Sequence, residues 1–247
     1  MRMGAYDELM KRRGRALLPL LDPDKVISEE DYYERAVKAL CEYAATFLVG
    51  GSTGVGQIET EKTVALVKKN CDKPVTVFPG SPCQVAPSAD AILFMSLLNS
   101  TNRKYLIDYQ LEGSLLVYRY GLEAIPTAYI IVGEGGTAGW VGEAKAIPPE
   151  KPELLSMYVL AAKYLGFKVV YLEAGSGVKR SVPPEAVRLA KKLLGEEVIL
   201  IVGGGIKDEE VAAEILRAGA DGVVVGTVVE RDLSAAERIA RRVAGWT

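Results

Sequence analysis

Short apolar runs alternate along the chain with segments whose apolar residues recur at helical spacing. The runs have no alternating polar positions, which is typical of parallel strands buried on both faces. They cover residues 16–21, 46–49, 75–78, 91–95, 127–132, 168–172, 198–202 and 222–225. Strands and helices in this alternation predict an α/β fold, a single TIM-like (β/α)8 barrel over residues 1–247 with residues 1–15 as a lead-in.

The alternation is interrupted between the third and fourth predicted strands. Only about a dozen residues connect them, close to the minimum for a parallel crossover, and Pro82 and Pro87 disfavour a regular helix. We therefore expect the third helix of the barrel to be missing or replaced. Elsewhere we expect Ser28 and Ser234 to begin helices, and the glycine-rich segment 133–142 to be a mobile loop.

Three consecutive strands in the second half of the chain run into turns of small residues. The residues of these turns are Ala174, Gly175, Ser176, Gly177, Gly203, Gly204, Gly205, Gly226 and Thr227. Exposed backbone N–H groups in such turns suit an anion with several oxygens, and barrels of this kind commonly bind phosphate after strands seven and eight. The alternative is that the glycines only make tight turns. The place and number of the turns favour phosphate.

Two carboxylates lie at predicted strand ends. Glu173 closes an otherwise apolar strand and could take a proton from a substrate hydroxyl or hydrogen-bond it; the alternative is a structural ion pair with a lysine. Asp22 follows the first strand and could ligate Mg²⁺ together with Ser52 after the second strand, although Asp-Pro-Asp is also a plain turn sequence. Lys25 is a candidate charge partner for a second anionic group.

The apolar stretch 91–98 and the tyrosines that follow it, among them Tyr105 and Tyr109, have two interpretations. By default they belong to the core. The alternative is that part of this segment lines an apolar channel, and periodicity alone does not separate the two.

Composition narrows the chemistry. The chain has no histidine, so acid–base catalysis must use other side chains. A net charge of −2 argues against nucleic-acid binding through phosphate neutralisation, and no apolar run reaches the length of a transmembrane span. Cys41, Cys71 and Cys83 are far apart and form no CxxC pair, so we expect reduced thiols in a cytoplasmic protein, with neither a disulfide framework nor a zinc site.

Eight segments of the chain also resemble a known family. In order, between residues 20 and 227, they are LLDPDK, VGGSTG, FPGS, FMSLLNS, AYIIV before a glycine loop and AKAIP, YLEAGSG, VGGGI and GVVVGT. They are similar to the geranylgeranylglyceryl phosphate synthases of archaea. The resemblance implies a TIM-like barrel with an altered third helix. It also implies a reaction that joins geranylgeranyl diphosphate to the primary hydroxyl of sn-glycerol 1-phosphate and makes the first ether bond of archaeal membrane lipids.

The resemblance implies roles for particular residues. Asp22 and Ser52 would hold Mg²⁺. Glycerol phosphate would lie against Tyr171, Leu172, Glu173, Ala174, Gly175, Ser176, Gly177, Gly203, Gly204, Gly226 and Thr227. Together with the chemistry of the side chains, this predicts Glu173 as the base and Asp22 and Lys25 at the departing diphosphate. We also expect a homo-oligomer, either a dimer or a hexamer. The protein should contact a membrane peripherally to release its product.

Two other classes of function fit the predicted phosphate site. One is a sugar-phosphate isomerase, aldolase or synthase of the ribulose-phosphate type, which needs a second acid–base residue or a Schiff-base lysine at a strand end, where only Lys25 is available. The other is a non-catalytic sensor of a phosphorylated ligand. A dinucleotide site is disfavoured, because neither an immediate helix nor an acidic strand end is predicted after Gly133-x-Gly135.

Overall fold

The computed structural model describes residues 4–51 and 53–246. Its strands are β1 (Ala16–Leu21), β2 (Phe47–Val49), β3 (Val75–Val77), β4 (Ala91–Leu97), β5 (Glu123–Ile131), β6 (Val169–Glu173), β7 (Ile199–Gly203) and β8 (Gly222–Val225). They pair in parallel and in chain order, and β8 closes the barrel onto β1. The prediction of a (β/α)8 barrel is confirmed.

Helices cover the outside of the barrel and one of its ends. They are α1 (Ala5–Lys11), α2 (Pro23–Ser28), α3 (Glu30–Leu40), α4 (Gln57–Asn70), α5 (Tyr109–Tyr120), α6 (Gly136–Val141), α7 (Pro152–Tyr164), α8 (Pro184–Leu194), α9 (Glu209–Arg217), α10 (Thr227–Arg231) and α11 (Leu233–Ala244). In α11, for example, the buried residues Ala236, Ile239 and Val243 recur at helical spacing, and the helix packs against β1 and α9. None of these helices of the described chain is both long and apolar enough to cross a lipid bilayer.

A single 3₁₀ turn, Pro82–Gln84, takes the place of a helix between β3 and β4, as the short connection predicts. Pro82 fits the first position of such a turn, where an N–H would have no helical partner. The buried Gln84 anchors the turn: its Oε1 accepts from the N–H of Gly80 at 2.8 Å, and its Nε2 donates to the carbonyl of Gly51 at 2.7 Å. Through these two hydrogen bonds, the turn that replaces the helix connects the end of β3 to the end of β2.

The helix predicted to start at Ser28 corresponds to α3, which begins two residues later at Glu30, and an unpredicted short helix, α2, precedes it. Pro23 occupies the first position of α2, where its fixed φ is favourable. The Asp22 carboxylate caps the same helix by accepting from the N–H of Asp24 at 3.2 Å. The Asp-Pro-Asp sequence, weighed as a turn, therefore starts a helix, and Ser28 ends it.

Two further local predictions are wrong. Ser234 lies inside α11, and Asp232 caps that helix by accepting from the N–H of Ala235 at 2.9 Å; Asp and Ser are about equally good at this position. The segment predicted as a loop contains α6. Gly135 and Gly136, with φ of 75° and 54°, let the chain turn sharply into this helix, because glycine adopts positive φ without a steric penalty.

Cys41 and Cys71 form a disulfide, with Cα atoms 5.6 Å apart, which contradicts the prediction of reduced thiols. The two residues are 30 positions apart in sequence, so the contact is invisible in local spacing. α3 and α4 pack side by side, and each ends at one of these cysteines. The disulfide therefore joins two neighbouring helices at the end of the barrel where the strands begin. Cys83 is free and exposed.

The lead-in helix α1 closes that same end of the barrel. Ala5 and Leu9 are buried in one cluster with the inward-facing residues Leu18 and Leu93. The N–H of Ala5 also donates to the Glu123 carboxylate at 2.7 Å. Ligands therefore reach the barrel interior from the opposite end, where the strands finish.

Candidate active site

A cavity of about 580 Å³ lies at the end of the barrel where the strands finish. The ends of β1, β6, β7 and β8 and the loops after them line one part of it, and β4, α5 and α6 line another. The volume falls in the range of about 300–1,000 Å³ that is typical of small-molecule sites. Barrels of this fold place their active sites at this end.

Most of the predicted site residues line this cavity: Asp22, Tyr171, Glu173, Ser176, Gly177, Gly204, Gly226 and Thr227. Three other predicted residues, Gly203, Ala174 and Gly175, are not in the lining but adjoin residues that are. Gly203 packs against the Tyr171 side chain, and Ala174 and Gly175 form the turn after β6, where the N–H of Ala174 donates to the carbonyl of Gly203 at 3.0 Å.

Two predicted residues are not brought into the cavity. Leu172 is buried in the layer between the barrel and its helices, because neighbouring residues on a strand point to opposite faces. Lys25 is exposed on α2 and is not among the described residues of the lining.

Glu173 ends β6 and is only 6% exposed. Its Oε2 accepts a hydrogen bond of 2.7 Å from the Tyr171 hydroxyl, and its Oε1 accepts one of 2.6 Å from the N–H of Gly175. Burial raises the pKa of Glu173, and the two hydrogen bonds partly offset the rise. Within the described residues no lysine or arginine pairs with it, so the structural ion pair is not found. A desolvated, oriented carboxylate of this kind is a suitable proton acceptor.

Aromatic rings surround this carboxylate. Tyr129 and Tyr171 pack edge to face with ring centres 5.0 Å apart, and the Phe78 ring lies 5.5 Å and 5.6 Å from them. Burial raises the pKa of both tyrosines, and the nearby Glu173 raises it further. Both phenols therefore stay protonated and can donate hydrogen bonds.

The glycine turns after β7 and β8 form the polar part of the cavity. Gly204 has a φ of 80°, and a Cβ at this position would collide with Oε1 of Glu173, so glycine is needed for the loop to pass this close to the carboxylate. The hydroxyls of Ser176 and Thr227 lie 3.1 Å apart. Backbone N–H groups and two hydroxyls gathered at one place suit a phosphate group.

Two carboxylates of the lining, Asp22 and Glu230, interact electrostatically. Burial raises the pKa of both, and the charge of Asp22 adds to the rise at Glu230, while the charge of Lys25 acts against it at both residues. A divalent cation relieves such a pair, and Mg²⁺ prefers one or two carboxylates with water and phosphate oxygens. The donor set therefore fits Mg²⁺. Ser52, the other predicted ligand, lies outside the described residues.

The part of the lining that β4 and α5 contribute is mainly apolar and aromatic. Leu97, Val117, Tyr105 and Tyr109 contribute to it. A π-helical turn over Lys104–Asp108 precedes α5, and the Tyr105 and Tyr109 rings meet edge to face at 5.6 Å. Of the two interpretations of this tyrosine-rich segment, the structure supports the apolar channel.

Sequence reasoning missed four charged residues of the lining: Lys207, Glu230, Arg231 and Asp232. They lie about four to six residues beyond Gly203, at the end of β7, or Gly226, directly after β8. The predicted turns and carboxylates lie at or directly after strand ends, and these charged residues lie further along the chain. The signal that could have identified these residues is a group of charged side chains shortly after each predicted phosphate-binding turn.

The chain matches the PcrB family over residues 8–244. It is 48% identical over 240 residues to the geranylgeranylglyceryl phosphate synthase of Methanopyrus kandleri, covering 96% of this chain and 97% of the relative. It is 45% identical over 247 residues to the enzyme of the same name from Hyperthermus butylicus, covering 98% of this chain and all of the relative.

Solved structures agree with these relatives. The crystal structure of (S)-3-O-geranylgeranylglyceryl phosphate synthase from Thermoplasma acidophilum, in complex with its substrate sn-glycerol-1-phosphate, matches with a TM-score of 0.91 and 34% identity over 99% of both chains. A mutant tryptophan synthase α-subunit from Pyrococcus furiosus, with a TM-score of 0.58 and 18% identity over 94% of this chain and 96% of that one, shares the fold alone. This chain therefore belongs to the PcrB family and, within it, to the geranylgeranylglyceryl phosphate synthases.

Proposed function

We propose that this protein transfers the geranylgeranyl group of geranylgeranyl diphosphate to the primary hydroxyl of sn-glycerol 1-phosphate. The products are diphosphate and a geranylgeranyl ether of glycerol phosphate, whose ether bond is the first one made in archaeal membrane lipids. The observation that carries the proposal is the buried carboxylate of Glu173, which faces a cavity with glycine turns on one side and an apolar, aromatic wall on the other. A phosphorylated alcohol and a prenyl chain would meet in this cavity beside the carboxylate.

Glycerol phosphate suits the polar part of the cavity. Its phosphate would accept hydrogen bonds from the backbone near Gly204 and Gly226 and from the hydroxyls of Ser176 and Thr227. This anchor would direct the glycerol toward Glu173, since the carboxylate adjoins the same loop. Fixing the alcohol in this way removes much of the entropic barrier to reaction.

Glu173 is suited to take the hydroxyl proton. The Tyr171 hydroxyl and the Gly175 N–H hold its two oxygens in place, and each oxygen keeps a further lone pair for the substrate. The allylic C–O bond breaks and its electron pair leaves with the diphosphate. The glycerol oxygen then forms the new C–O bond, and its proton passes to the carboxylate.

The prenyl chain would occupy the apolar part of the cavity. Leu97, Val117 and the edge-to-face pair Tyr105 and Tyr109 offer it a mainly nonpolar surface. Burying such a chain is favourable by about 25 cal/mol for each square ångström of apolar surface. An apolar lining also excludes water that would otherwise capture the reactive allylic carbon.

Mg²⁺ is part of the proposal. Asp22 and Glu230 would hold it, with Ser52 as the further oxygen donor expected from the sequence. When bound, it supplies charge that stabilises the departing diphosphate. Lys207 and Arg231, which follow the adjacent strands β7 and β8, add positive charge of the chain's own. Lys25 contributes from outside the lining.

The sugar-phosphate alternative is not favoured, because relatives that match this chain over nearly its full length are geranylgeranylglyceryl phosphate synthases. In its Schiff-base form the alternative also needs a desolvated lysine. Lys207, the lysine of the described lining, is exposed. The non-catalytic sensor is also disfavoured, because a passive phosphate site has no need of a buried carboxylate aimed at the ligand.

We further propose a homo-oligomer, a dimer or a hexamer, and peripheral membrane contact through which the product leaves. Large exposed apolar side chains support surface contacts of this kind: Trp140 and Tyr118 are each 84% exposed, and Leu115 is 62% exposed. We place the reaction in the cytoplasm. The Cys41–Cys71 disulfide is compatible with this location in hyperthermophilic archaea, whose intracellular proteins are rich in disulfides.

Product formation tests the proposed reaction. Purified protein is incubated with geranylgeranyl diphosphate and either sn-glycerol 1-phosphate or its enantiomer sn-glycerol 3-phosphate, with Mg²⁺ or with EDTA. We expect a prenyl ether that requires the metal and strongly favours the first enantiomer. Absence of ether under all conditions, with glycerol phosphate still bound, would contradict the transferase and leave a phosphate-binding barrel of another kind.

A further inference from the structure

A second cavity, of about 280 Å³, lies at the end of the barrel where the strands begin. We call it the basic pocket; its lining residues are Glu8, Lys11, Arg12, Arg15, Lys73 and Ala244. They come from α1, the start of β1, the connection before β3 and the end of α11. The whole length of the barrel separates the basic pocket from the active-site cavity, so it is not part of that site.

The Arg12 side chain lines the basic pocket and is held in place by its neighbours. Its Nη1 donates to the carbonyl of Tyr43 at 2.8 Å, and its Nε lies 3.6 Å from the Glu8 carboxylate. Tyr43 and Lys73 each lie two residues from a cysteine of the Cys41–Cys71 disulfide. The disulfide therefore ties together the two chain segments that form this side of the pocket.

The other cations of the basic pocket have no partner of their own. Within residues 4–51 and 53–246, the side chains of Lys11, Arg15 and Lys73 make no hydrogen bond or ion pair. Arg13, their neighbour in sequence, turns away and donates to the Asp221 carboxylate at 2.8 Å. The basic run at the start of the chain therefore divides into two arginines with structural partners, Arg12 and Arg13, and two free charges, Lys11 and Arg15.

Charge accumulates in the basic pocket although the chain as a whole carries −2. Four cationic side chains face one carboxylate, so three positive charges are left over. The carbonyl end of α11 at Ala244 offsets about half an elementary charge. The remaining positive charge comes from separate elements that surround one small volume. It attracts a compact anion.

We infer that the basic pocket binds a phosphoryl group with two or more negative charges, either a free phosphate or diphosphate ion or the headgroup of a phosphate-monoester lipid. A phosphoryl group presents several acceptor oxygens, so that Lys11, Arg15 and Lys73 can each donate to a different one. A carboxylate would neutralise only one of the three charges. A nucleic acid needs an extended basic stripe rather than a small pocket.

Equilibrium dialysis with labelled inorganic diphosphate tests the inference, which does not depend on the proposed transferase activity. The double variant Lys11→Gln/Lys73→Gln is compared with Lys62→Gln/Lys192→Gln, which removes the same charge from exposed positions on α4 and α8. We expect the wild type and the control to bind one more diphosphate per chain than the pocket variant, or to bind it at least about tenfold more tightly. Prenyl transfer should be unchanged in both variants.

A second arm distinguishes the two sources of the phosphoryl group. Sedimentation with vesicles of phosphatidylcholine and phosphatidic acid in equal parts is compared with phosphatidylcholine alone. Loss of vesicle binding in the pocket variant, with diphosphate binding unchanged, assigns the lipid headgroup, and loss of diphosphate binding assigns the free ion. Arg15→Gln serves as a second pocket variant if the double variant does not fold. Equal behaviour of wild type and pocket variants in both arms would overturn the inference.

Discussion

The Tyr171 hydroxyl donates a hydrogen bond of 2.7 Å to Oε2 of Glu173, two residues further along β6. Residues two apart on a strand point to the same face, so the strand presents both side chains to the cavity. The bond favours the ionised form of Glu173 against the burial that raises its pKa. Tyr171 therefore adjusts the proton affinity of the proposed base.

Removing that hydroxyl, as Tyr171→Phe, should raise the pKa of Glu173 further. Because the base acts in its ionised form, the acidic limb of the kcat–pH profile should move to higher pH, and activity at low pH should fall more than activity at high pH. Tyr129→Phe is the matched control, since Tyr129 packs in the same ring cluster but its hydroxyl does not bond to Glu173. An acidic limb that stays in place in Tyr171→Phe would remove this role.

The Gly204 turn can be tested against a glycine with the same backbone conformation. Gly204 and Gly166 have φ of 80° and 83°, so alanine costs each position about 1–2 kcal/mol of backbone strain. A Cβ at Gly166 meets nothing within 4 Å, whereas one at Gly204 collides with Glu173 and with the N–H of Gly175. We expect both variants to unfold at lower temperature. Only Gly204→Ala should also lose most of its activity and glycerol phosphate affinity, and equal activities would contradict the proposed close approach.

The charge of Asp22 can be separated from its capping role. Asn is as good an N-cap as Asp, so Asp22→Asn should keep α2 and change thermal stability little. It should weaken Mg²⁺ binding, measured by calorimetric titration in the presence of diphosphate, and reduce the stimulation of the reaction by the metal. Asp24→Asn, an exposed position on the same helix, is the control. Identical Mg²⁺ titrations for Asp22→Asn and the wild type would exclude Asp22 as a ligand.

The disulfide should contribute measurably to stability. Closing a loop of 30 residues restricts the unfolded chain by about 3–4 kcal/mol, so Cys41→Ser, or a reducing agent, should lower the unfolding temperature clearly. Cys83→Ser should have little effect, because Cys83 is free and exposed. Thiol titration of the denatured, unreduced protein should detect Cys83 alone. Three reactive thiols in that titration would show that the disulfide is absent.

Much of the barrel can be predicted from local pattern. β1 and β8 span the predicted residues, because continuous apolar runs report burial directly. The missing third helix follows from the length of its connection. Helix starts are predicted less well: Asp232 caps α11 in place of the nearby Ser234, and α2, which Asp22 caps, precedes the helix expected from Ser28.

The candidate site divides in the same way. Glu173 and the glycine turns could be predicted because they break the pattern at strand ends. The two-residue alternation of side chains along a strand could have excluded Leu172 from the site, because it turns that side chain away from the cavity. The Cys41–Cys71 disulfide and the electrostatic effect of Asp22 on Glu230 both depend on how distant segments are placed in space, which no local spacing encodes.

The variant Glu173→Gln tests whether Glu173 takes the proton of the glycerol hydroxyl. Ether formation and sn-glycerol 1-phosphate affinity are measured on the same preparation, with Glu185→Gln, an exposed residue of α8, as the control. We expect ether formation to slow by about 100-fold or more while the affinity changes little and the control behaves as the wild type. A rate within a few-fold of the wild type, with glycerol phosphate bound normally, would contradict the account.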